Sequence, residues 1–100
     1  MTAPRFAPFG RVSEFQIVES KTFYQSKQQI DFALYERIKS IVYPQLETNP
    51  FCGPDIKKLQ GKLTKYHWFS IGDYKLFYRI DKKKAVVVIE SLELARRLYA

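Results

Sequence analysis

The residues best suited to chemistry lie in the second half of the chain, where basic and aromatic side chains alternate. Trp68, Lys75 and Arg79 belong to the segment YHWFSIGDYKLFYR. Cations bind phosphate and aromatic rings stack on unpaired bases, so this mixture is typical of proteins that bind single-stranded RNA. We expect four lysines that lead into the segment to contact the phosphate backbone rather than to perform chemistry: Lys57, Lys58, Lys62 and Lys65.

The positive charge is confined to the same half of the chain. The formal net charge is +7, and acidic and basic residues balance up to Ile56, so the whole excess lies from Lys57 onward. Clustered cations attract polyanions and release phosphate counterions. The pattern therefore favours a nucleic acid or an acidic protein as partner, although a face that only keeps the protein in solution has the same pattern.

Other kinds of chemistry lack the necessary residues. One histidine, His67, and one cysteine, Cys52, are too few for a zinc site, and the chain has no glycine-rich phosphate loop. We therefore predict neither a metal nor a cofactor. Nothing near Cys52 in sequence would lower the pKa of its thiol, so we interpret it as a packing residue and not as a nucleophile. We expect His67 to lie in the core or at its rim.

The length of 100 residues allows one domain. Residues 1–13 carry turn-forming residues without periodicity, which indicates a flexible arm, so we place the single domain at residues 14–100. No apolar run is long enough to cross a membrane, and no signal-peptide pattern is present at the start. These observations favour a cytoplasmic protein.

Three successive strands must position the basic and aromatic side chains. Runs at residues 66–71 and 74–80 flank Gly72-Asp73, which predicts a β-hairpin, and a third run follows at residues 85–90. Links this short join only antiparallel neighbours. Alternation then separates two faces, with one set directed toward the helices (Phe69, Ile71, Tyr74, Leu76 and Tyr78) and another directed away from them (Trp68, Ser70, Lys75, Phe77 and Arg79). For Phe77, a small second core under a C-terminal helix remains an alternative to base stacking.

The first half predicts one strand and a helical hairpin. Residues 14–19 alternate as an edge strand, Ser20 is a candidate helix N-cap, and residues 23–46 have the spacing of an amphipathic helix with a possible break at 25–29. Pro44 predicts a kink or an end at Tyr43. Residues 91–100 predict a short C-terminal helix. The fold class is therefore α+β, with the helical hairpin on one face of a four-stranded, mainly antiparallel sheet.

The order of several short motifs resembles the RelE/ParE family of toxins from bacterial toxin-antitoxin systems. The motifs are Asn49-Pro50, KLxG at residues 58–61, GDY at residues 72–74 and a tyrosine near the end, Tyr99. The resemblance covers residues 15–99. It implies a RelE-like fold, a cognate antitoxin as protein partner and, in the RelE branch, metal-independent cleavage of mRNA on the ribosome.

The resemblance also implies roles for individual residues. Lys75 takes the place of the arginine that usually follows GDY, and would stabilise charge on the phosphate while Tyr99 moves a proton. Only these two positions match the family, and we add Arg79 to the catalytic group and expect Arg96, Arg97 and Trp68 to bind RNA. The family's arginines before the turn correspond to Trp68 and Ser70, and its His-Arg pair to Leu94 and Ala95. These departures keep two alternatives open, a ParE-type inhibitor of DNA gyrase and a degenerate protein that only binds its partner.

Overall fold

The computed structural model describes residues 14–61 and 65–98, within which five strands form one sheet in the spatial order β1-β5-β4-β3-β2. The strands are β1 Gln16–Glu19, β2 Ile56–Lys58, β3 Tyr66–Ile71, β4 Tyr74–Asp81 and β5 Val86–Leu94. The helical elements are α1 Lys21–Lys27, α2 Phe32–Arg37, a π-helical segment Ile38–Val42, α3 Tyr43–Thr48 and α4 Ala95–Leu98. The arm predicted at residues 1–13 lies outside the described residues, so that prediction stays open.

The antiparallel meander predicted for the second half is confirmed. β3 and β4 pair from Tyr66 opposite Arg79 to Ile71 opposite Tyr74. Gly72 opens the two-residue loop between them with a φ of 55°, a left-handed value that glycine adopts without the steric cost of a Cβ. β4 and β5 are also antiparallel, and their register shifts at a β-bulge between Phe77 and Tyr78. The bulge gives β5 one residue more than its partner, which decides where Glu90 points.

The sheet contains one more strand than the four expected. Ile56–Lys58 forms β2, which pairs antiparallel with β3 and occupies one edge of the sheet. Three residues are too few to show an alternating pattern, so the strand exists because β3 offers an open edge. At the opposite edge, β1 pairs parallel with β5 from Gln16 opposite Val86. The first strand therefore lies at an edge, as predicted, and the sheet is mixed.

The helices depart from the predicted hairpin at Pro44. Ser20 caps α1 as expected, because its hydroxyl accepts a hydrogen bond from the amide of Phe23 at 3.1 Å, and the chain breaks before Asp31 caps α2. The expected change at Tyr43 is present in part, because the π-helical segment ends there, but the chain continues in helical geometry as α3. The π-helical segment before it widens the turn, and Pro44 lies in the first turn of α3, where a missing amide proton costs least. No helix in the described ranges is long and apolar enough to cross a membrane.

The C-terminal helix is much shorter than predicted. Residues 91–94 continue β5, with Leu92 opposite Leu76 and Leu94 opposite Tyr74, and helical geometry is limited to the single turn Ala95–Leu98. Leu92 is buried. Pairing with β4 thus overrides the helix propensity of these residues. The expectation of a helix starting at Ser91 was wrong.

The core lies between the helices and one face of the sheet, which we call the helix face. Alternation assigned this face correctly, because Phe69, Ile71, Leu76 and Tyr78 are buried there and Tyr74 packs against them. From the helices come four side chains with no exposed surface: Phe23, Ile38, Val42 and Leu46. Burying each such side chain contributes about 1.5–3 kcal/mol. This packing fixes the opposite face of the sheet as the one directed away from the helices.

A polar cluster ties β1 to three helical elements. The carboxylate of Glu19 accepts hydrogen bonds from Lys27 Nζ at 2.9 Å, Tyr35 Oη at 2.7 Å and Tyr43 Oη at 2.8 Å. Burial alone would raise the pKa of Glu19, but the hydrogen bonds from the two phenols and the ammonium outweigh it and hold the pKa below its ordinary value. Burial, together with the hydrogen bond to the Glu19 carboxylate, raises the pKa of Tyr43. The cluster therefore favours an ionised Glu19 in the folded protein.

Candidate functional site on the outer sheet face

The sheet face directed away from the helices, which we call the outer face, carries the predicted basic and aromatic side chains. Trp68 and Ser70 of β3 lie directly opposite Phe77 and Lys75 of β4, and Arg79 lies opposite Tyr66. Residues directly opposite in an antiparallel pair share a face. The sequence-predicted set of five is thus brought together, and Tyr66 joins it.

Lys75 lies on the outer face close to the β3–β4 turn, and no carboxylate of the described residues forms an ion pair with it. Its Nζ is 4.4 Å from the centroid of the Trp68 ring and donates a hydrogen bond to Ser70 Oγ at 3.4 Å. Glu93 lies opposite Lys75 in register but forms no ion pair with it among the described residues. The indole therefore holds the ammonium by a cation–π contact and leaves its charge available to an anionic ligand.

Arg79 is in a different electrostatic position, because Glu90 neutralises it. The Nε of Arg79 donates to Oε2 of Glu90 at 2.6 Å. Glu90 is the bulge residue of β5, since Phe77 pairs with Ser91 and Tyr78 pairs with Ile89. The two-residue period of a regular strand does not predict the direction of a bulge residue, so the contact of this carboxylate with Arg79 was not foreseen from the sequence. Arg79 therefore offers less free charge to phosphate than its position suggested.

Trp68 and Phe77 pack against each other. Their ring centroids are 5.7 Å apart at an interplanar angle of 77°, an edge-to-face arrangement, and both side chains are half-buried. The indole Nε1 has no hydrogen-bond partner within the described part of the chain. The two rings therefore form an apolar strip that runs across β3 and β4, next to Lys75.

The four lysines predicted as a single phosphate-binding group do not share one surface. Lys57 lies opposite Trp68 and so belongs to the outer face, whereas Lys58 lies opposite His67 and belongs to the helix face. Lys65 is exposed just before β3. Lys62 lies outside the described residues. Consecutive residues of a strand point to opposite faces of the sheet, so Lys57 and Lys58 lie on different faces because both belong to β2.

Lys58 and Lys65 instead line a recess on the helix side of the sheet. Its volume is about 320 Å³, and we call it the lysine recess, lined by Phe51, Lys58, Lys65, His67, Ile80 and Lys82. His67 is 8% exposed and stacks on Tyr78 with 5.5 Å between ring centroids, so the prediction of a core or rim histidine is confirmed. Burial, with the nearby charge of Lys58, lowers the pKa of His67. The sequence analysis gave no role to Lys82, which only the fold brings here.

The remaining predicted residues lie at the end of the chain. Arg96 is exposed on α4 and lines a recess with Asp73 and Tyr74 at the β3–β4 turn. The side chain of Arg97 and the whole of Tyr99 lie outside the described residues. Of the proposed catalytic group, the described residues include Lys75 and Arg79, which lie four residues apart on the same face of β4 with Phe77 between them.

Cys52 is not the packing residue that the sequence suggested. It is exposed on the loop before β2, and Asn49 Nδ2 donates a hydrogen bond to its Sγ at 3.6 Å. The loop is anchored by its neighbour Pro50, whose carbonyl accepts a hydrogen bond from the buried hydroxyl of Tyr78 at 2.7 Å. The buried proline, and not the cysteine, joins this loop to the core.

Comparison with solved structures finds the same fold in bacterial and archaeal toxins. The RelBE2 toxin-antitoxin complex of Mycobacterium tuberculosis matches with a TM-score of 0.72 at 20% identity, covering 81% of this chain and 91% of that chain. The archaeal RelE–RelB complex of Pyrococcus horikoshii matches with a TM-score of 0.69 at 24% identity, covering 84% and 98%. A YoeB/ParE toxin of Agrobacterium tumefaciens matches with a TM-score of 0.66 at 15% identity, and the match covers 80% of this chain and 98% of that chain.

These likenesses establish that the chain has the fold of the RelE/ParE toxin superfamily, which confirms the resemblance drawn from the motifs at the level of structure. The sequence itself matches no family profile and no curated protein.

Proposed function

We propose that this protein is the toxin of a type II toxin-antitoxin pair and that it inhibits translation by cleaving mRNA on the ribosome. The observation that carries the proposal is the position of Lys75, a cation beside Trp68 on an aromatic outer face that forms no ion pair among the described residues. The RelE fold supports the assignment to toxins.

The proposed chemistry needs no metal. A ribose 2′-hydroxyl attacks the adjacent phosphorus in line, the bond to the 5′-oxygen of the next nucleotide breaks, and a cyclic phosphate and a free 5′-hydroxyl result. Negative charge grows on the phosphoryl oxygens in the transition state, and Lys75 would stabilise that charge. Tyr99 would transfer a proton, and Arg79 and Arg96 would bind flanking phosphates. The half-buried Trp68 would limit how the substrate base approaches Lys75.

The proposed antitoxin would cover apolar surface on the helices. Tyr24, Phe32 and Ile41 are 56%, 76% and 53% exposed. Large apolar side chains exposed on one part of a small protein are typical of an interaction site. The Mycobacterium and Pyrococcus structures are complexes of a toxin with an antitoxin, which supports a partner of the same kind for this chain.

The proposal is tested by inducing the protein in bacteria and mapping mRNA ends by primer extension. We expect growth arrest with new mRNA ends, loss of both with Lys75→Met, and partial retention with Lys75→Arg, which keeps the charge. One stabilising cation contributes roughly 10²–10³-fold to a rate. Lys21→Met, on the exposed surface of α1, is the matched control and should leave cleavage intact. Intact mRNA during arrest would contradict the enzymatic proposal.

The Arg79–Glu90 ion pair favours a second candidate, a non-catalytic inhibitor of DNA gyrase. The pair neutralises Arg79 on the outer face and leaves the apolar strip of Trp68 and Phe77, a surface better suited to a protein than to a phosphate. Induction would then stall replication and trigger DNA damage while mRNA stays whole. Trp68→Ala, and not Lys75→Met, would be the variant that abolishes toxicity.

A further inference from the structure

We propose that the lysine recess is a second phosphate-binding site, which holds the backbone of a single-stranded nucleic acid after the strand has crossed the β2 edge from the outer face. The inference rests on the proposed function in taking RNA as that strand. It adds a binding surface on the opposite side of the sheet from Lys75. It assigns the recess no part in the cleavage step.

The first support is charge. Lys58, Lys65 and Lys82 line the recess, and its lining among the described residues contains no carboxylate. The Nζ of Lys65 also lies 5.3 Å from the ring centroid of Tyr66, so this lysine stands at the boundary between the recess and the outer face. None of the three forms an ion pair within the described part of the chain. On the outer face, by contrast, Glu90 and Glu93 lie beside Arg79 and Lys75. The recess is therefore the more strongly cationic of the two surfaces.

The second support is the lining behind the lysines. The ring of His67 lines the recess and is only 8% exposed, so it forms part of the wall behind the lysines. Phe51 is 41% exposed at the same place, with Lys82 Nζ 5.5 Å from its ring centroid. An aromatic wall beside cations suits a nucleotide better than a free hydrated anion.

The third support is the geometry of the β2 edge. Lys57 and Lys58 are adjacent and exposed on the edge strand, and they point to opposite faces of the sheet. Successive phosphates of a flexible strand that bends around this edge would meet first Lys57 and then Lys58. The edge thus connects the outer face to the recess without a channel through the protein.

The test uses the fact that His67 is the single histidine of the chain, so its ring gives one set of NMR signals. The probe is a dodecamer of uridine, which is titrated into the full-length protein. The ring signals of His67 are recorded at each step, and the binding isotherm of the oligonucleotide is measured in parallel. The variant is Lys58→Gln/Lys65→Gln/Lys82→Gln. The charge-matched control is Lys21→Gln/Lys83→Gln/Lys84→Gln, three exposed lysines that do not line the recess.

We expect the oligonucleotide to shift the His67 signals in the wild type and in the control, and not in the recess variant. Each phosphate contact on a single strand contributes about 0.7 to the slope of log K against log salt, so the recess variant should lose roughly two units of slope. At about 0.1 M salt this corresponds to roughly a hundredfold weaker binding.

Three results would overturn the inference. One is binding without any shift of the His67 signals. Another is an equal loss of affinity in the recess variant and the charge-matched control. The last is a larger His67 shift with a glutamate-rich peptide of equal charge, which would assign the recess to an acidic protein segment. Failure of mRNA cleavage leaves all three readouts measurable, so the recess and the proposed enzymatic activity are judged separately.

Discussion

Arg79 on β4 and Glu90 on β5 form an ion pair across the outer face, with Nε donating to Oε2 at 2.6 Å. Glu90 reaches Arg79 because the bulge between Phe77 and Tyr78 adds a residue to β5 at this point. The pair lies beside the proposed RNA surface, and both side chains are partly exposed. Its contribution to stability is accordingly small, and its effect on the charge offered to a ligand is the larger one.

The first prediction follows from releasing Arg79. Glu90→Gln should strengthen binding of single-stranded RNA and steepen its salt dependence by about 0.7 units, the value for one added phosphate contact. Fluorescence anisotropy across a salt series measures both quantities. Glu36→Gln removes the same charge from the Glu36–Lys39 pair on the helices and is the control. An equal gain in the two variants would mean that only net charge matters.

The second prediction concerns the Glu19 cluster. Tyr43→Phe removes a hydrogen bond of 2.8 Å to a carboxylate and should lower the free energy of unfolding by about 1.5–3 kcal/mol, the range for bonds to charged groups. Urea denaturation measures the change. Tyr24→Phe removes the hydroxyl of an exposed tyrosine and should change it by less than about 0.5 kcal/mol. Equal stability of Tyr43→Phe and the wild type would show that water replaces the bond.

The third prediction is a pH dependence with a defined sign. The pKa of Glu19 is lowered in the folded protein relative to the ordinary value of 4.5. Between these two pKa values the carboxylate of Glu19 is therefore protonated more often in the unfolded state than in the folded state. The stabilisation is therefore complete above pH 4.5 and is lost as the pH falls through the folded pKa. The stability difference between the wild type and Glu19→Gln, measured by urea denaturation, should shrink with acidification. A difference that stays constant down to pH 3 would contradict it.

The fourth prediction concerns the titration of His67. Its midpoint, followed by NMR of the single histidine, should lie below 6.5 because burial disfavours the charged ring and Lys58 adds repulsion. Lys58→Gln should raise the midpoint toward 6.5 without reaching it, since burial remains. Lys57→Gln, one residue away and on the opposite face, should leave the midpoint unchanged. A midpoint above 6.5 in the wild type would indicate an anionic neighbour that the structure does not show.

Local patterns were sufficient to predict much of the site. Gly72-Asp73 between two runs of β-branched and aromatic residues specified the hairpin, and the two-residue period then placed Trp68, Lys75 and Arg79 on one face. Ser20 was recognised as a cap because capping depends on a side chain and an amide three residues apart. Such features depend on neighbours in sequence, which is why the sequence analysis found them.

Features that depend on distant partners were missed. Residues 91–94 have helix propensity, yet they continue β5 because β4 offers hydrogen bonds and buries Leu92. Pro44 was expected to kink or end a helix, and the π-helical segment and the first turn of α3 accommodate it. Cys52 was interpreted as a packing residue, but it is exposed, whereas Pro50 of the same loop is buried. For residues 91–94, pairing with a distant strand outweighed the local preference.

The sequence by itself determined the three-stranded meander, the two faces of its central strands and the concentration of positive charge in that half of the chain, because these follow from residue order alone. Only the tertiary structure decided that β2 joins the sheet and sends Lys57 and Lys58 to opposite faces, and that a bulge brings Glu90 to Arg79. The physical reason is that electrostatic interactions depend on distance in space. Residues far apart in sequence become neighbours only when the strands pair.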